Sequence, residues 1–326
     1  MADLWPNYTR EELFEVQKKG RKPWHDNYLV MFSSVWGGFS TDPHLWGVPP
    51  DDHMVHRGDA VFEAFKVIDG RAYCLKEHLA RFLNSASFLG LELPPEFDRI
   101  EDILKQAYRL GGHEDFVARL TVSRGPGSFS VNPYDSFGSQ LYLITMKFKK
   151  PSPEVYERGV KLSTAPFPAK SEFPGIKTCD YLHNVLAKKS AIDAGADYVV
   201  SFDQDGNLTE GATENVAVVT VDGQLVVPPF SKILKGVTLL RAMELASQLG
   251  APLLPKGVIN KDLKRSELPN IAAEVFLTTT SFNVLAVTSW DNRPVGSGRP
   301  GPVTTELKRL IEAELSSDGP HTTALG

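Results

Sequence analysis

The sequence predicts an α+β protein of two lobes, a smaller N-terminal lobe and a larger, strand-rich C-terminal lobe. Its 326 residues exceed the roughly 150 residues of a typical single domain. Strand-like and helical runs alternate along the chain, and Lys149–Pro153, a stretch of Lys, Pro and Ser, interrupts both periodicities. We therefore expect an N-terminal domain with an N-terminal extension over residues 1–148, a linker over 149–155, a C-terminal domain over 156–318 and a polar tail over 319–326.

The N-terminal lobe is predicted from three strand-like runs and one clear helix. The strand-like runs are Val61–Ile68, Phe116–Val122 and Gln140–Met146. In the helix, Leu75–Leu89, apolar residues recur at spacings of three and four and form one stripe. This combination is typical of an α+β lobe.

The C-terminal lobe is predicted to be rich in strands. Two hairpins are expected because their turns carry Asp205-Gly206 and Asp222-Gly223, dipeptides suited to the positive φ angles of a type I′ turn. The other predicted elements are strands at Gly159–Ala165 and Glu274–Leu277 and helices at about Tyr181–Ala194, Val237–Leu249 and Val303–Leu315.

Composition and charge argue against several classes of protein. The formal net charge is -5 and the pI is about 5.9. Because Lys and Arg are scattered, no basic stripe is available for a nucleic-acid backbone or an anionic membrane. No run approaches the ~18 apolar residues of a membrane span. We expect neither nucleic acid nor a membrane as a partner.

The cysteines and the N-terminal segment indicate a cytoplasmic protein. The chain has two cysteines, Cys74 and Cys179, which are far apart and form no C-x-x-C motif. Residues 1–22 contain many charged side chains and lack the apolar core of a secretory signal. A reducing compartment fits both observations.

Lys177 is the first candidate for chemistry. It lies in Pro174–Thr178, between a Pro-Gly turn and the start of a predicted helix, where a lysine could face inward. Desolvation would lower the pKa of its amine and leave it free to attack a carbonyl. The ordinary alternative is a solvated surface lysine.

Two segments could bind an anion. Leu234-Lys235-Gly236-Val237-Thr238 leads into a helix, and the free N–H groups of a helix start can hold a phosphate. Thr279, Thr280 and Ser281 offer hydroxyls and amides at the end of a strand. A simple helix cap and ordinary strand threonines are the structural alternatives.

Glu210 is the candidate carboxylate, since it lies close to apolar strands, where it would need a cationic partner. A loop glutamate in water is the alternative. No metal site is expected: the glycine after Asp203 and Asp205 comes too early for a calcium loop, and His53 and His56 have no third ligand nearby in the sequence.

Taken in order, these segments resemble the class IV aminotransferases, the fold-type IV pyridoxal-phosphate family. The family includes branched-chain and D-amino-acid aminotransferases, (R)-amine transaminases and aminodeoxychorismate lyase. The resemblance covers about His56 to Val287. It is carried by Gly58–Glu63, Glu77–Phe82, Ile176-Lys177 with Tyr181–Ala187, Thr209–Gly211 with Asn215, Leu234–Thr238 and Glu274–Leu277.

The resemblance implies a two-lobed fold with a pseudo-barrel in the C-terminal lobe and pyridoxal 5′-phosphate between the lobes. Lys177 would bind the cofactor as a Schiff base and then move a proton as general base and acid. Glu210 would pair with the pyridine nitrogen and keep it protonated. Arg81 would bind the phosphate, for which a planar guanidinium is well suited.

The same resemblance implies the surrounding contacts. Gly236, Val237, Thr238, Thr279 and Thr280 would complete the phosphate site. Tyr181 would lie near the phenolic oxygen of the cofactor and Leu234 would pack against its ring, although a buried tyrosine and a core leucine are the structural alternatives. The proposed substrate contacts are Phe62, Arg119 and Ser281.

The recognition of a substrate carboxylate is left open by the sequence. The D-amino-acid enzymes and many (R)-amine enzymes use a loop arginine at about Gly125–Ser136, and this chain has none there. Arg119, Lys66 or the amides of Thr280 and Ser281 are the candidates instead.

The predicted activity is transamination in two half-reactions, from an amino acid or amine to a 2-oxo acid. Branched-chain or other apolar amino acids are the favoured donors, and D-amino acids or (R)-amines are possible. A lyase that releases pyruvate from aminodeoxychorismate and a non-enzymatic metabolite-binding protein are the alternatives. The family implies a homodimer in which the small lobe of one subunit helps to close the site of the other.

Overall fold

The computed structural model describes residues 5–20, 22–170 and 172–326. Residues 1–4 of the predicted N-terminal extension lie outside these ranges. The helices are α1 (Arg10–Lys19), α2 (His53–Arg57), α3 (Leu75–Phe88), α4 (Ile100–Leu110), α5 (Pro153–Arg158), α6 (Leu182–Asp193), α7 (Val237–Leu249), α8 (Leu268–Ile271) and α9 (Pro302–Leu315).

The strands form two sheets, as the predicted α+β architecture requires. They are β1 (Tyr28–Ser33), β2 (Gly38–Ser40), β3 (Ala60–Ile68), β4 (Arg71–Tyr73), β5 (Phe116–Ser123), β6 (Gln140–Lys147), β7 (Val160–Thr164), β8 (Tyr198–Phe202), β9 (Leu208–Gly211), β10 (Asn215–Thr220), β11 (Leu225–Val227), β12 (Val258–Asn260), β13 (Ala272–Thr279), β14 (Asn283–Trp290), β15 (Arg293–Pro294) and β16 (Thr322–Ala324).

The first sheet has seven strands in the order β16-β4-β3-β5-β6-β1-β2, and its pairs are antiparallel. Side chains alternate across β3. Val61, Phe65 and Val67 pack with α3 and α4 in one core. Phe62 and Lys66, on the other face, make contacts with the C-terminal half of the chain. The strand thus joins a packed core to the candidate site.

The predicted polar tail is a correction to the sequence analysis. Residues Thr322–Ala324 form β16, which pairs with β4, and the side chain of Leu325 is buried in the first core. The last residues therefore complete the N-terminal sheet. The apolar Leu325 and the free edge of β4 are the physical reasons for this pairing.

The second sheet has nine strands, in the order β12-β11-β10-β13-β14-β7-β8-β9 with β15 beside β14. Helices α7 and α9 cover it through a core that includes Leu239 and Leu307. Both predicted hairpins form, but the prediction of type I′ turns is wrong. Such a turn needs two positive φ angles, and here only Gly206 and Gly223 have one, at 76° and 78°.

Other predicted elements lie within a few residues of the observed ones. Helix α7 has the predicted bounds, whereas α1 was not predicted because it has no buried residue and so no apolar stripe. Helix α5 begins at Pro153, inside the predicted linker, and the domain boundaries remain a prediction. Among the described residues, no helix is long and apolar enough to cross a membrane.

Contacts between the two sheets bring the candidate residues together. Thr178 forms a bridge with Val61 of β3, so the segment after the Pro-Gly turn lies along the first sheet. On the same strand, the main-chain carbonyl of Ala64 accepts a hydrogen bond from Thr280 Oγ1 at 3.1 Å. The lysine segment and the β13–β14 turn are therefore both fastened to β3.

Candidate active site

Lys177 is anchored through its main chain and directs its amine into the space between the sheets. Its carbonyl accepts a hydrogen bond from the Phe62 amide at 3.0 Å, and its own amide donates to Ser85 Oγ at 3.3 Å. The half-buried side chain donates from Nζ to the Tyr181 hydroxyl at 3.2 Å. The solvated surface lysine considered from the sequence is not what the chain folds into.

The environment of Lys177 favours a neutral amine. Burial, followed by the nearby Arg81 charge, lowers the pKa of Lys177 to about 8. An amine with such a pKa has a lone pair available near neutral pH, which both attack on a carbonyl and acceptance of a proton require.

Glu210 lies at the end of β9 beside the loop that precedes α7. Its Oε2 accepts hydrogen bonds at 3.0 Å from the Leu234 amide and from Asn215 Nδ2. Burial raises the pKa of Glu210 to about 8. In the described part of the chain, no Lys or Arg side chain hydrogen-bonds to this carboxylate, so a protonated ring nitrogen would supply the missing positive partner.

The start of α7 offers free amides. Its N-cap, Gly236, supplies no side-chain hydrogen bond, and the first-turn N–H groups of a helix have no partner within the helix. Asn215 Nδ2 holds the preceding loop by donating to the Leu234 carbonyl at 2.8 Å. A Cβ at position 236 would lie 1.9 Å from Asn215 Oδ1. Glycine is therefore required for the loop to pass this close to Asn215.

Arg81 lies on α3 and reaches the same loop from the first sheet. Its Nη1 donates to the Lys235 carbonyl at 2.9 Å. Its Nε and Nη2 donate to Glu63 at 2.7 and 2.9 Å. A guanidinium has five N–H donors; three are used here, which leaves two for an anion at the helix start.

Glu63 orients Arg81 and is itself fully buried. His78 Nδ1 lies 2.5 Å from its Oε2. Burial alone would raise the pKa of Glu63, but the Arg81 guanidinium and the His78 contact outweigh it and lower the pKa to about 2. The carboxylate is therefore charged at all ordinary pH values and holds Arg81 in one orientation.

Aromatic rings and one arginine form the side of the site next to the amine. The ring centroids of Phe62 and Tyr181 are 5.1 Å apart in an edge-on arrangement. The Arg119 guanidinium lies 4.0 Å from the centroid of the Phe62 ring, and Lys177 Nζ lies 4.5 Å from it. Burial raises the pKa of Tyr181, so its hydroxyl stays protonated.

The β13–β14 turn is placed beside β3 as predicted from the sequence, but its side chains are already occupied. Thr280 Oγ1 bonds to the Ala64 carbonyl, while the hydroxyls of Thr279 and Ser281 lie 3.0 Å from each other. Lys66 is buried and hydrogen-bonds to Asn283. Of the carboxylate candidates, Lys66 is therefore unavailable, whereas the Arg119 side chain is exposed.

Two residues that hold the site were not assigned a role from the sequence. Glu63 orients Arg81 across β3 and α3, and Asn215 connects Glu210 to the loop before α7. Both occur in the motifs that carried the resemblance. An acidic residue in an otherwise apolar strand was the available signal for Glu63.

A lysine, a carboxyl group without a cation and an anion site, all facing one space, define an enzyme that binds a phosphorylated carbonyl cofactor. The sequence matches the profile of the family described as amino-transferase class IV over residues 60–290. This match covers more than half of the chain. The protein therefore belongs to the class IV aminotransferases, whose cofactor is pyridoxal 5′-phosphate and whose fold is fold type IV.

Similar proteins agree with this family. The chain is 35% identical over 91% of its length to a chloroplastic D-amino-acid transaminase of Arabidopsis thaliana, of which 79% is covered. It is 30% identical over 80% of its length to 88% of a putative branched-chain-amino-acid aminotransferase of Methanocaldococcus jannaschii. A branched-chain amino acid aminotransferase of T.th., solved with pyridoxamine 5′-phosphate, superposes with a TM-score of 0.83 at 27% identity, over 92% of this chain and 99% of that one.

The residues present fit the cofactor. The uncapped helix start and the two unused Arg81 donors suit its phosphate. The buried carboxyl group of Glu210 suits a protonated ring nitrogen. The Lys177 amine suits its aldehyde. The expected cofactor contacts of Leu234, Val237 and Thr238 lie in or next to the same loop, and these residue roles remain predictions.

Proposed function

We propose that the protein is a transaminase that moves the amino group of an apolar amino acid to a 2-oxo acid in two half-reactions. The observation that carries this proposal is the position of Arg119, whose exposed guanidinium lies against the Phe62 ring on the same side as the Lys177 amine. A guanidinium there suits the α-carboxylate of an amino acid whose nitrogen reaches the amine.

The aromatic rings support an apolar donor. Phe62 and Tyr181 present ring surface next to Lys177, and apolar surface with few polar groups favours apolar side chains. Branched-chain aminotransferases among the similar proteins also favour this donor class. A simple (R)-amine has no carboxylate and would leave Arg119 unused.

The residues of this chain divide the work of the reaction. When bound, the cofactor supplies a ring that accepts the electrons left by the departing substrate proton. Lys177 Nζ takes this proton and returns it, and the Tyr181 hydroxyl holds the amine in place. Glu210 keeps a proton at the ring nitrogen, while Arg81 and the start of α7 fix the phosphate.

A second candidate is the same reaction with D-amino acids. The relative that is 35% identical to this chain is named a D-amino-acid transaminase. The choice between enantiomers depends on which side of the cofactor plane Arg119 and the aromatic rings present to the substrate.

A donor panel tests these proposals. The holoenzyme is mixed in turn with L- and D-forms of leucine, valine and alanine, with (R)-1-phenylethylamine and with aminodeoxychorismate, and the cofactor absorbance is followed. We expect bleaching by an apolar amino acid and recovery after a 2-oxo acid is added. Release of pyruvate from aminodeoxychorismate without this cycle would instead establish the lyase. A cofactor that no amino acid bleaches would refute the transaminase.

We further propose a homodimer. The loop at 125–137 carries large apolar side chains that are mostly exposed in the single chain: Phe129, Val131, Tyr134 and Phe137 are 65 to 91% exposed. Such a patch is typical of a protein interface. Light scattering coupled to size-exclusion chromatography should give twice the mass of the chain, and a monomer at micromolar concentration would contradict the proposal.

A cytoplasmic location is also a proposal. It is supported by the two free cysteines, as expected for a reducing compartment. Cell fractionation with a tagged full-length chain tests it, and recovery of the protein inside an organelle would overturn it.

A further inference from the structure

Three metal-ligand side chains meet outside the candidate active site. Cys74 is the N-cap of α3, Glu77 lies in the first turn of that helix, and His321 directly precedes β16. One ligand atom from each, the thiol sulfur, a carboxylate oxygen and an imidazole nitrogen, lie within 4.8 Å of one another. The two segments are separated by most of the chain, so the fold brings these groups together.

The three groups are not satisfied by other partners. Cys74 is a free, buried cysteine. The Nδ1 atom of His321 is buried and has no hydrogen-bond partner among the described residues, and it lies 3.5 Å from Glu77 Oε1. A buried imidazole nitrogen without a partner carries a desolvation cost that a metal ion would remove.

The cluster is open to solvent on one side only. The Glu77 side chain is 45% exposed and that of His321 is 22% exposed, whereas Cys74 is buried behind them. The nearest additional carboxylate, Glu314, accepts hydrogen bonds from Arg241 and Tyr73. An ion entering from the Glu77 side would thus meet three protein ligands, with water as the fourth.

We propose that Cys74, Glu77 and His321 bind a divalent cation of the Zn²⁺ type. A thiolate, an imidazole and a carboxylate are the ligands that Zn²⁺ accepts in tetrahedral sites, whereas Ca²⁺ and Mg²⁺ require oxygen ligands throughout. Binding would release the thiol proton of Cys74. The proposal concerns a different part of the molecule and does not depend on the substrate proposed above.

The ion would fasten the C-terminus to the helix that carries Arg81. The Cys74 amide already donates to the His321 carbonyl at 2.7 Å, and β16 pairs with β4 immediately after it. Strand β16 has three residues and lies at the edge of its sheet. A metal bridge between Cys74 and His321 would therefore oppose fraying of this edge.

Metal binding is measured on the full-length holoenzyme after treatment with a chelator. Calorimetric titration with Zn²⁺ and the visible spectrum with Co²⁺ are recorded for the wild type and for Cys74→Ser, Glu77→Gln and His321→Gln. The matched controls are Cys179→Ser, Glu101→Gln and His113→Gln. We expect one ion per chain, a thiolate-to-cobalt band, and affinity reduced at least 10-fold in each ligand variant, since even loss of an outer-shell partner costs about 10–100-fold.

Two results would overturn the proposal. One is a wild type that shows no saturable Zn²⁺ binding at micromolar concentration. The other is binding of equal strength in the three ligand variants, as an ion held by the cofactor phosphate would give. Because Glu77 is exposed, Glu77→Gln should fold even if Cys74→Ser does not. Hydrogen exchange in Thr322–Ala324 should slow with Zn²⁺ in the wild type and not in Glu77→Gln.

Discussion

The Nζ atom of Lys177 donates a hydrogen bond to the Tyr181 hydroxyl at 3.2 Å. The two residues are one helical turn apart, at the entrance to α6, so the start of the helix holds the phenol beside the amine. Burial of both groups lowers the pKa of the lysine and raises that of the tyrosine. A neutral amine beside a neutral phenol is therefore the natural state of the pair near pH 8.

Covalent attachment of the cofactor should depend on pH through Lys177. Its pKa is lowered by burial from 10.5 to about 8. The rate at which the apoenzyme takes up pyridoxal phosphate, followed by visible absorbance, should rise with pH around 8 and level off above it. A midpoint near 10 would show that the amine is solvated. Glu210→Gln should lower the midpoint, because the Glu210 charge stabilises the protonated amine, whereas the exposed Glu157→Gln should not.

The same shift has a consequence for stability. Because the pKa of Lys177 is lower in the folded state, the unfolded state binds more protons between pH 8 and 10.5. The contribution of this residue to the free energy of unfolding should therefore rise with pH across that window. Urea unfolding of the apoenzyme at several pH values, with Lys177→Met as the reference, measures it; an equal pH dependence in both proteins would contradict it.

Replacement of Lys177 by alanine should abolish covalent cofactor binding and reduce transamination. The loss of a group that moves a proton costs on the order of 10²–10⁴-fold in rate. The variant should show no absorbance from cofactor joined to the protein after borohydride treatment and gel filtration. Lys189→Ala, on the exposed side of α6, is the matched control and should behave as the wild type. Full activity in Lys177→Ala would remove the basis of the proposed function.

Much of this arrangement follows from local sequence, and the rest depends on tertiary contacts. The bounds of α7 are predicted because its apolar spacing is regular, and Lys177 is a candidate because it lies between a Pro-Gly turn and a helix. The Glu63–Arg81 pair joins a strand to a helix, and neither periodicity nor spacing reveals such a contact. Residues Thr322–Ala324 are short and polar, so their pairing with β4 depends on an edge that only the folded sheet provides.

Arg81→Ala should weaken both the fold and the binding of the cofactor phosphate. It would leave Glu63, which is fully buried, with His78 as its remaining side-chain partner. Breaking a buried ion pair costs about 3–5 kcal/mol, so we expect a loss of this size in the free energy of unfolding by urea. Arg99→Ala, which breaks an exposed ion pair with Asp102, should cost less than about 1 kcal/mol.

Phosphate binding can be separated from this stability effect. The affinity for pyridoxal phosphate relative to that for pyridoxal, measured by fluorescence titration, should fall in Arg81→Ala and Arg81→Lys and stay unchanged in Arg99→Ala. A ratio that does not change would mean that Arg81 serves Glu63 alone. Arg81→Lys keeps the charge and so tests whether the planar guanidinium is needed.

Gly236→Ala should disturb the carboxylate and the phosphate site together. The added Cβ would lie 1.9 Å from Asn215 Oδ1, so either the loop or Asn215 must move. Since Asn215 donates to both Glu210 and the Leu234 carbonyl, its movement would release Glu210 and shift the start of α7. We expect a loss of about 1–3 kcal/mol in stability, as in other overpacked sites, and weaker binding of pyridoxal phosphate. Gly47→Ala is the control, because a Cβ there meets no atom within 4 Å.

A double-mutant cycle distinguishes the clash from a general intolerance of alanine in this loop. Asn215→Ala removes the atom that the new Cβ would meet, at the cost of the two hydrogen bonds. If the clash is the cause, Gly236→Ala should cost less stability in the Asn215→Ala background than in the wild type, because neighbouring residues that share one contact are not additive. Equal costs in both backgrounds would place the requirement for glycine in the backbone of the loop, and the assignment of Asn215 as its partner would be wrong.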